Sequence, residues 1–253
     1  MVAPEGTGIE VRRGVERFVT WHDGVCSRHS FSFGRHYDPR DTHFGLLLAH
    51  NDDTLQPGSG FPPHPHRDLE VVTWVLSGAL RHEDSTGHAE VVRPGEVQWM
   101  SAGGGVVHTE TAATDAGPVR YVQMWVAPDT AGGRPRYRRV DVSGLLAGGG
   151  LVPVAGGSTG GTAAGAEPPL RIGQRGAVLH VARLTDGGSI TVPDAPYVHL
   201  YVARGALDLD GAGQLLDGDA ARLTRAGARE AVAAAPAEVL VWAMDAALPG
   251  PDG

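Results

Sequence analysis

The sequence predicts an all-β protein made of two antiparallel β-barrels, and three observations carry that reading. Short apolar runs, several alternating with period two, recur along the 253 residues between clusters of Gly, Pro, Asn and Ser. Glycine (37) and proline (18) are frequent, which suits many short strands joined by tight turns. The two halves also echo one another. Ser77-Gly78-Ala79-Leu80 returns as Arg204-Gly205-Ala206-Leu207, and Pro94-Gly95-Glu96 as Asp217-Gly218-Asp219. A duplicated barrel explains the echo, with one unit over residues 1–140 and a second over 141–253.

In chain order, residues 18–21, 30–33 and 44–49 read as strands. Phe31 and Phe33 alternate with serines as a half-buried strand should. Asn51-Asp52-Asp53 and Pro57-Gly58-Ser59-Gly60 then mark a loop. Residues 69–76 form an apolar, β-branched run ending at Ser77-Gly78, a buried strand. Residues 80–84 and 89–92 flank Ser85-Thr86-Gly87 as a hairpin, and 97–100, 106–108 and 121–126 complete the unit. Gly103-Gly104-Gly105 lets the backbone bend before His108. Residues 134–142 read as a charged connection, and 143–168 as a loop or linker, close to low complexity over 156–165. Strands return at 178–184, 190–192, 198–202, 207–209, 220–223 and 239–242, with 231–233 only weakly strand-like.

Composition narrows the function. Apolar content of 42% supports a buried core. A formal charge of −8 offers no basic footprint for nucleic acid or an anionic membrane. All 21 basic residues are arginine, which excludes a lysine Schiff base. Cys26 is the only cysteine, which excludes an intramolecular disulfide, a Cys₄ zinc site and a self-contained Fe–S cluster. The start, MVAPEGTGIEVRR, lacks the apolar core of a signal peptide. Residues 231–244 are interrupted by Pro236 and Glu238 and are too short to span a bilayer. A cytoplasmic protein without nucleic-acid or membrane partners is expected.

The chemistry concentrates between residues 64 and 110. His64-Pro65-His66 opens this stretch and His108-Thr109-Glu110 closes it. Residues two apart on a strand point to one face, so each triplet can aim two ligands at one point. Three imidazoles and a carboxylate leave open positions on a six-coordinate ion, which suits a metal that binds substrate or oxygen. Four inward ionisable groups without an ion would be costly to bury. Glu70 shares the parity of His64 and His66, so spacing leaves the carboxylate open between Glu70 and Glu110. The donor set accommodates Fe, Mn, Ni or Cu as well as Zn²⁺. Gln123 is a candidate donor behind the ligands, and Asn51, Asp52 and Asp53 are candidates for the pocket mouth, where a turn needs such residues anyway. Trp74, Trp99, Met100 and Trp125 read as core, with at least one a candidate cavity wall. Arg67 reads as exposed outside the barrel. Only His180 and His199 of the 12 histidines lie beyond residue 110, with no acidic partner at ligand spacing. The second barrel is therefore expected to be filled by Val, Leu and Ala and to hold no metal. His22, His29, His36, His88 and His180 receive no role.

Gly58, five residues, His64-Pro65-His66, three residues and Glu70 approximate the first cupin motif. Gly105-x-x-His108 approximates the second, with Gly103 where a proline is usual. The run GFPPHPHRDLEVVTWVLSGALRHEDSTG, followed by MSAGGGVVHTE and YVQMWV, resembles the pirin family, its bacterial members in particular. The resemblance covers about residues 10–140; the second half is more loosely similar to that family's diverged second cupin. It implies a bicupin of the jelly-roll (double-stranded β-helix) type, with metal in residues 1–140 alone. It also implies Glu110 as the carboxylate ligand beside His64, His66 and His108, leaving Glu70 as a supporting acid. One divalent transition-metal ion per chain follows, Fe(II) ahead of Mn, Ni, Co, Cu or Zn. The implied activity is that of a quercetin 2,3-dioxygenase, with Glu110 taking the proton of a flavonol that meets O₂ at the metal. The alternative it implies is a metal- or redox-sensing regulator that works through protein partners without catalysis. Depth of the cavity over the metal separates the two.

Overall fold

The structure is a computed structural model describing residues 7–113, 117–157 and 167–249. Its strands are β1 Gly8–Arg12, β2 Phe18–His22, β3 Val25–His29, β4 Leu47–Leu55, β5 Gly60–His66, β6 Glu70–Ser77, β7 Leu80–Asp84, β8 Ala89–Val92, β9 Glu96–Ser101, β10 Val106–Ala112, β11 Val119–Val126 and β12 Arg136–Asp141. After helix α1, Ser143–Leu146, come β13 Val152–Gly156, β14 Leu170–Arg171, β15 Ala177–Leu184, β16 Ser189–Val192, β17 Tyr197–Leu209, β18 Gly213–Leu216, β19 Ala220–Thr224 and β20 Arg229–Met244. Among the described residues the only other helical turn is Gly14–Glu16, so the all-β expectation holds. No helix of the described residues is long and apolar enough to cross a membrane.

The amino-terminal half is two antiparallel sheets, β12-β9-β6-β11-β4-β3-β2 and β5-β10-β7-β8. They pack face to face. Val25, Leu55, Val75 and Tyr121 from the larger sheet share one core cluster with Leu80, Val92 and Ala112 from the smaller. The carboxy-terminal half is one sheet ordered β1-β19-β17-β20-β15-β13-β14, with β16 added to β20 and β18 to β17. No sheet closes on itself among the described residues.

The Gly echo has a physical cause. At Gly205 (φ +80°) a β-carbon would lie 2.0 Å from the Pro236 carbonyl oxygen. At Gly78 (φ +72°) it would lie 2.3 Å from the Pro118 oxygen. Both turns need the left-handed backbone and the missing side chain. Beside Gly205, register shifts between Val202 and Leu207 bend the long pair β17 and β20. That bend lets residues 231–233 continue a 16-residue strand.

Several segments depart from expectation. The third strand is Val25–His29 rather than 30–33, because the chain turns there to bury Phe31 beneath the Arg222 guanidinium, 4.5 Å from the ring. The next strand runs over Leu47–Leu55, so Asn51, Asp52 and Asp53 are buried strand residues and not a loop. Turn chemistry loses here because Asn51 and Asp52 find partners on other segments. Asn51 Oδ1 meets His29 Nδ1 at 3.0 Å, and Arg120 donates to both Asp52 oxygens at 3.0 and 2.7 Å. Residues 136–141 are an edge strand whose Arg139 pairs with Glu90 and Glu96. Of the expected linker, α1 and β13 are regular structure, and residues 158–166 lie outside the described ones.

The halves meet through a large apolar cluster. It includes Val72, Trp74, Val122 and Met124 on one side and Leu179, Val181, Leu240 and Trp242 on the other. One strand crosses the division expected at residue 140, since β1 pairs with β19 over Gly8–Thr224 to Arg12–Ala220. The carboxy-terminal interior is packed with Val, Leu, Ile and Ala, from Ala182 to Val241.

Two imidazoles also face each other across this interface, His50 and His199, with ring centroids 4.8 Å apart. Burial holds both well below the ordinary histidine range, and the charges of Arg17 and Arg222 add to it. They stay neutral in the fold but titrate near 6.5 in the unfolded chain. Below that pH the unfolded state binds more protons, so stability falls as pH falls, by up to about 1.4 kcal/mol per pH unit for each ring. Urea midpoints at pH 7.5 and 5.0 should show this, with a smaller drop in metal-free His199→Gln than in metal-free parent. An equal drop in both would contradict it.

Candidate metal centre

Strands β5 and β10 lie side by side, with Val106 opposite His66 and His108 opposite His64. Burial alternates along β10, so His108 and Glu110 point inward while Val107 is exposed. A bulge between His108 and Glu110 then brings Glu110 opposite Phe61. Gly60 makes that approach feasible, since a β-carbon there would lie 2.1 Å from the Glu110 carbonyl oxygen. Gly103 explains the departure from the usual proline. Its φ of +50° is closed to proline, and a β-carbon would meet the Gly133 carbonyl at 2.7 Å.

Ring nitrogens of His64, His66 and His108 all lie within 4.8 Å of one another. Nδ1 of His64 donates to the Pro62 carbonyl at 2.8 Å, and a carbonyl only accepts, so Nε2 carries the free lone pair. Nε2 of His66 and Nε2 of His108 are buried without a hydrogen-bond partner. Burial, reinforced by the neighbouring imidazoles, lowers both rings to about 3 and keeps them neutral. Three imidazoles whose Nε2 atoms make no hydrogen bond and lie together fit a divalent transition metal.

Glu110 is buried behind them, and Gln123 Nε2 donates to both its oxygens at 2.7 and 2.8 Å. Gln123 Oε1 accepts from Trp125 Nε1 at 3.0 Å, so the donor-only indole fixes the amide's direction. Burial raises the Glu110 carboxyl, against the pull of the Gln123 bonds and of His82. Asp53 lies deep in the interior, not at a pocket mouth. Burial pushes it up to about 8, against a Ser27 hydrogen bond and with the Glu110 charge adding.

Glu70 is elsewhere. Its carboxylate accepts from Trp99 Nε1, Ser101 Oγ and the Gly173 N–H, each at 2.6 Å, and so ties the two halves together. It belongs to neither group of prospective ligands. Parity could not show this, because β5 and β6 lie in different sheets. Trp74, Trp99 and Met100 are core. Trp125 is half-buried beside the prospective ligands, edge-on to His66 at 4.9 Å and 5.2 Å from Phe33.

His82 escaped the sequence reading. It is fully buried and forms a second close group with His108 and Glu110. The available signal was parity, because Leu80, His82 and Asp84 alternate on the hairpin strand whose apolar Leu80 must face inward. Both groups of prospective ligands among the described residues lie in the amino-terminal half.

Fold and site together define a class of β-sandwich proteins that bury a histidine-rich metal-ligand cluster between two facing sheets. The family model described as Pirin matches residues 9–126. The chain is 50% identical, over 95% of its length and 96% of the relative's, to a Mycobacterium tuberculosis protein provisionally named quercetin 2,3-dioxygenase. It is 42% identical to the quercetin 2,3-dioxygenase of Escherichia coli K12, over 53% of this chain and 58% of that one. Among solved structures, bacterial pirin YhhW of Escherichia coli in complex with nickel(II) superposes with a TM-score of 0.82 at 29% identity, covering 94% and 99% of the two chains. This chain belongs to the pirin family.

Proposed function

We propose that the protein is a metal-dependent dioxygenase that opens flavonols such as quercetin with O₂. In this reading it is a cytoplasmic bicupin whose first unit holds one divalent ion through His64, His66, His108 and Glu110, Fe(II) before Mn, Ni, Co, Cu or Zn. The observation that carries the proposal is the convergence of three imidazoles, two of them with buried unpartnered Nε2 atoms, beside a buried carboxylate. The names of the relatives support the reaction, and the nickel(II) of the pirin neighbour supports the metal.

A bound ion would supply Lewis acidity toward a substrate hydroxyl and one-electron exchange with O₂. The chain's own residues do the rest. Glu110 accepts the hydroxyl proton at Oε, where burial favours the protonated form. Gln123, oriented by Trp125, holds the carboxylate in place throughout. Trp125 and Phe33 offer flat apolar surface beside His66, suited to a planar aromatic ligand.

Protein loaded separately with Fe, Mn, Co, Ni or Cu should take up O₂ with quercetin and release carbon monoxide with at least one ion. Silence with all five would overturn the proposal. A sensor acting through protein partners is the second reading. An open depression of about 410 Å³ favours it, because it touches the ligands only at His66 and is otherwise lined by residues such as the exposed Pro65, Arg67 and Val107.

A further inference from the structure

The ring nitrogen of His108 that faces away from the prospective metal leads into a chain of polar side chains. His108 Nδ1 lies 3.4 Å from His82 Nδ1, and His82 Nε2 lies 3.4 Å from Asp84 Oδ2. Side-chain exposure is 0% for His82 and 1% for Asp84, so water does not compete for these contacts. Asp84 is itself held firmly. It accepts from the Thr86 N–H at 2.8 Å and the Thr86 hydroxyl at 2.7 Å, and it meets His88 Nδ1 at 3.0 Å. Tyr137 stacks on the His82 ring at 4.8 Å and fixes its plane.

The proton positions follow from donor counting. An ionised carboxylate only accepts, so His82 donates from Nε2, and in the neutral ring this leaves a lone pair on Nδ1. That lone pair requires a proton on His108 Nδ1. The remaining lone pair of His108 is then on Nε2, the buried nitrogen without a partner. His64 achieves the same tautomer with the Pro62 carbonyl.

We infer that His82 and Asp84 are positioning residues for His108, locking the tautomer and ring plane that present Nε2 to the metal. The inference rests on His108 being a ligand. A partner on the outer nitrogen also makes the ligating nitrogen more basic, and loss of such partners typically weakens metal binding about 10–100-fold. His82 is not itself a ligand in this arrangement, since Nε2 is engaged by Asp84 and Nδ1 by His108.

Nickel(II) affinity, measured by chelator competition on full-length protein stripped of metal, tests this. His82→Phe keeps an aromatic ring against Tyr137 but removes the acceptor, and it should weaken nickel about 10–100-fold. His82→Asn places an acceptor oxygen near the position of Nδ1, and it should recover most of the loss. Thermal melting of the metal-free variants checks that each is folded. Equal weakening in both variants would show that lost packing is responsible and overturn the inference. So would unchanged affinity in His82→Phe. Complete loss of nickel in both would make His82 a ligand, grouped with Glu110, and would also overturn it. A parent protein that holds no nickel would instead remove the metal reading on which the inference depends.

Discussion

Replacing His64 and His108 together by alanine is expected to remove the tightly bound metal altogether. Each supplies a nitrogen whose lone pair has no other use, one through the Pro62 bond and one through burial. Of the proposed set their loss leaves His66 on β5 and Glu110 beyond the β10 bulge, and two donors do not enclose an ion against water. Metal analysis of protein purified without added metal should fall from one equivalent to near zero. Catalytic O₂ uptake should disappear with it. The carboxy-terminal half provides the control, because its interior is aliphatic and neither prospective ligand group lies there. His180→Ala and His199→Ala should therefore change metal content little, although both rings are buried. One full equivalent retained by the double variant would shift the site toward His82 and Glu110 and refute the assignment.

Glu110→Gln is the second large effect. The amide can still accept the Gln123 hydrogen bond through its oxygen, so the buried network survives in part. It cannot take a proton at neutral pH. Loss of general-base catalysis alone costs about 10²–10⁴-fold in rate. Steady-state rates should fall by that amount while the metal content holds. A larger fall accompanied by metal loss would mean that Glu110 acts chiefly as a ligand. An unchanged rate would exclude it from both roles. Gln123→Leu gives the complementary result, since it leaves the carboxylate buried with no donor. The carboxyl would then hold its proton more tightly, and the acidic limb of the rate profile should move to higher pH.

Strands were legible wherever apolar residues alternated or ran together, as at Glu70–Ser77 and Val119–Val126. They were only partly legible at Leu47–Leu55, whose Asn51-Asp52-Asp53 centre reads locally as a turn. Its partners come from remote segments: Arg120, Tyr201 and His29. Burial of such a stretch depends on partners that only the folded chain brings up, and a local reading cannot find them.

By itself the sequence determined the all-β character, the doubled Gly turns, the pirin resemblance and the two inward pairs on His-x-His and His-x-Glu. Each follows from period-two geometry or from residue types that only certain backbones admit. Spacing left the carboxylate open and the pirin resemblance pointed to Glu110; tertiary structure alone shows where each acid stands and what lies behind the prospective ligands. Glu70 and Glu110 have equal claims by parity, yet one faces Gly173 of the other half and the other faces Gln123 in the interior. His82 joins His108 only because β7 and β10 pair in a register that sets Asp84 opposite His108 and His82 opposite Glu110. The crossing of β1 onto β19 is of the same kind. Parity says which face a residue takes, but the pairing between distant strands says what it meets there, and that pairing is settled by packing the whole chain.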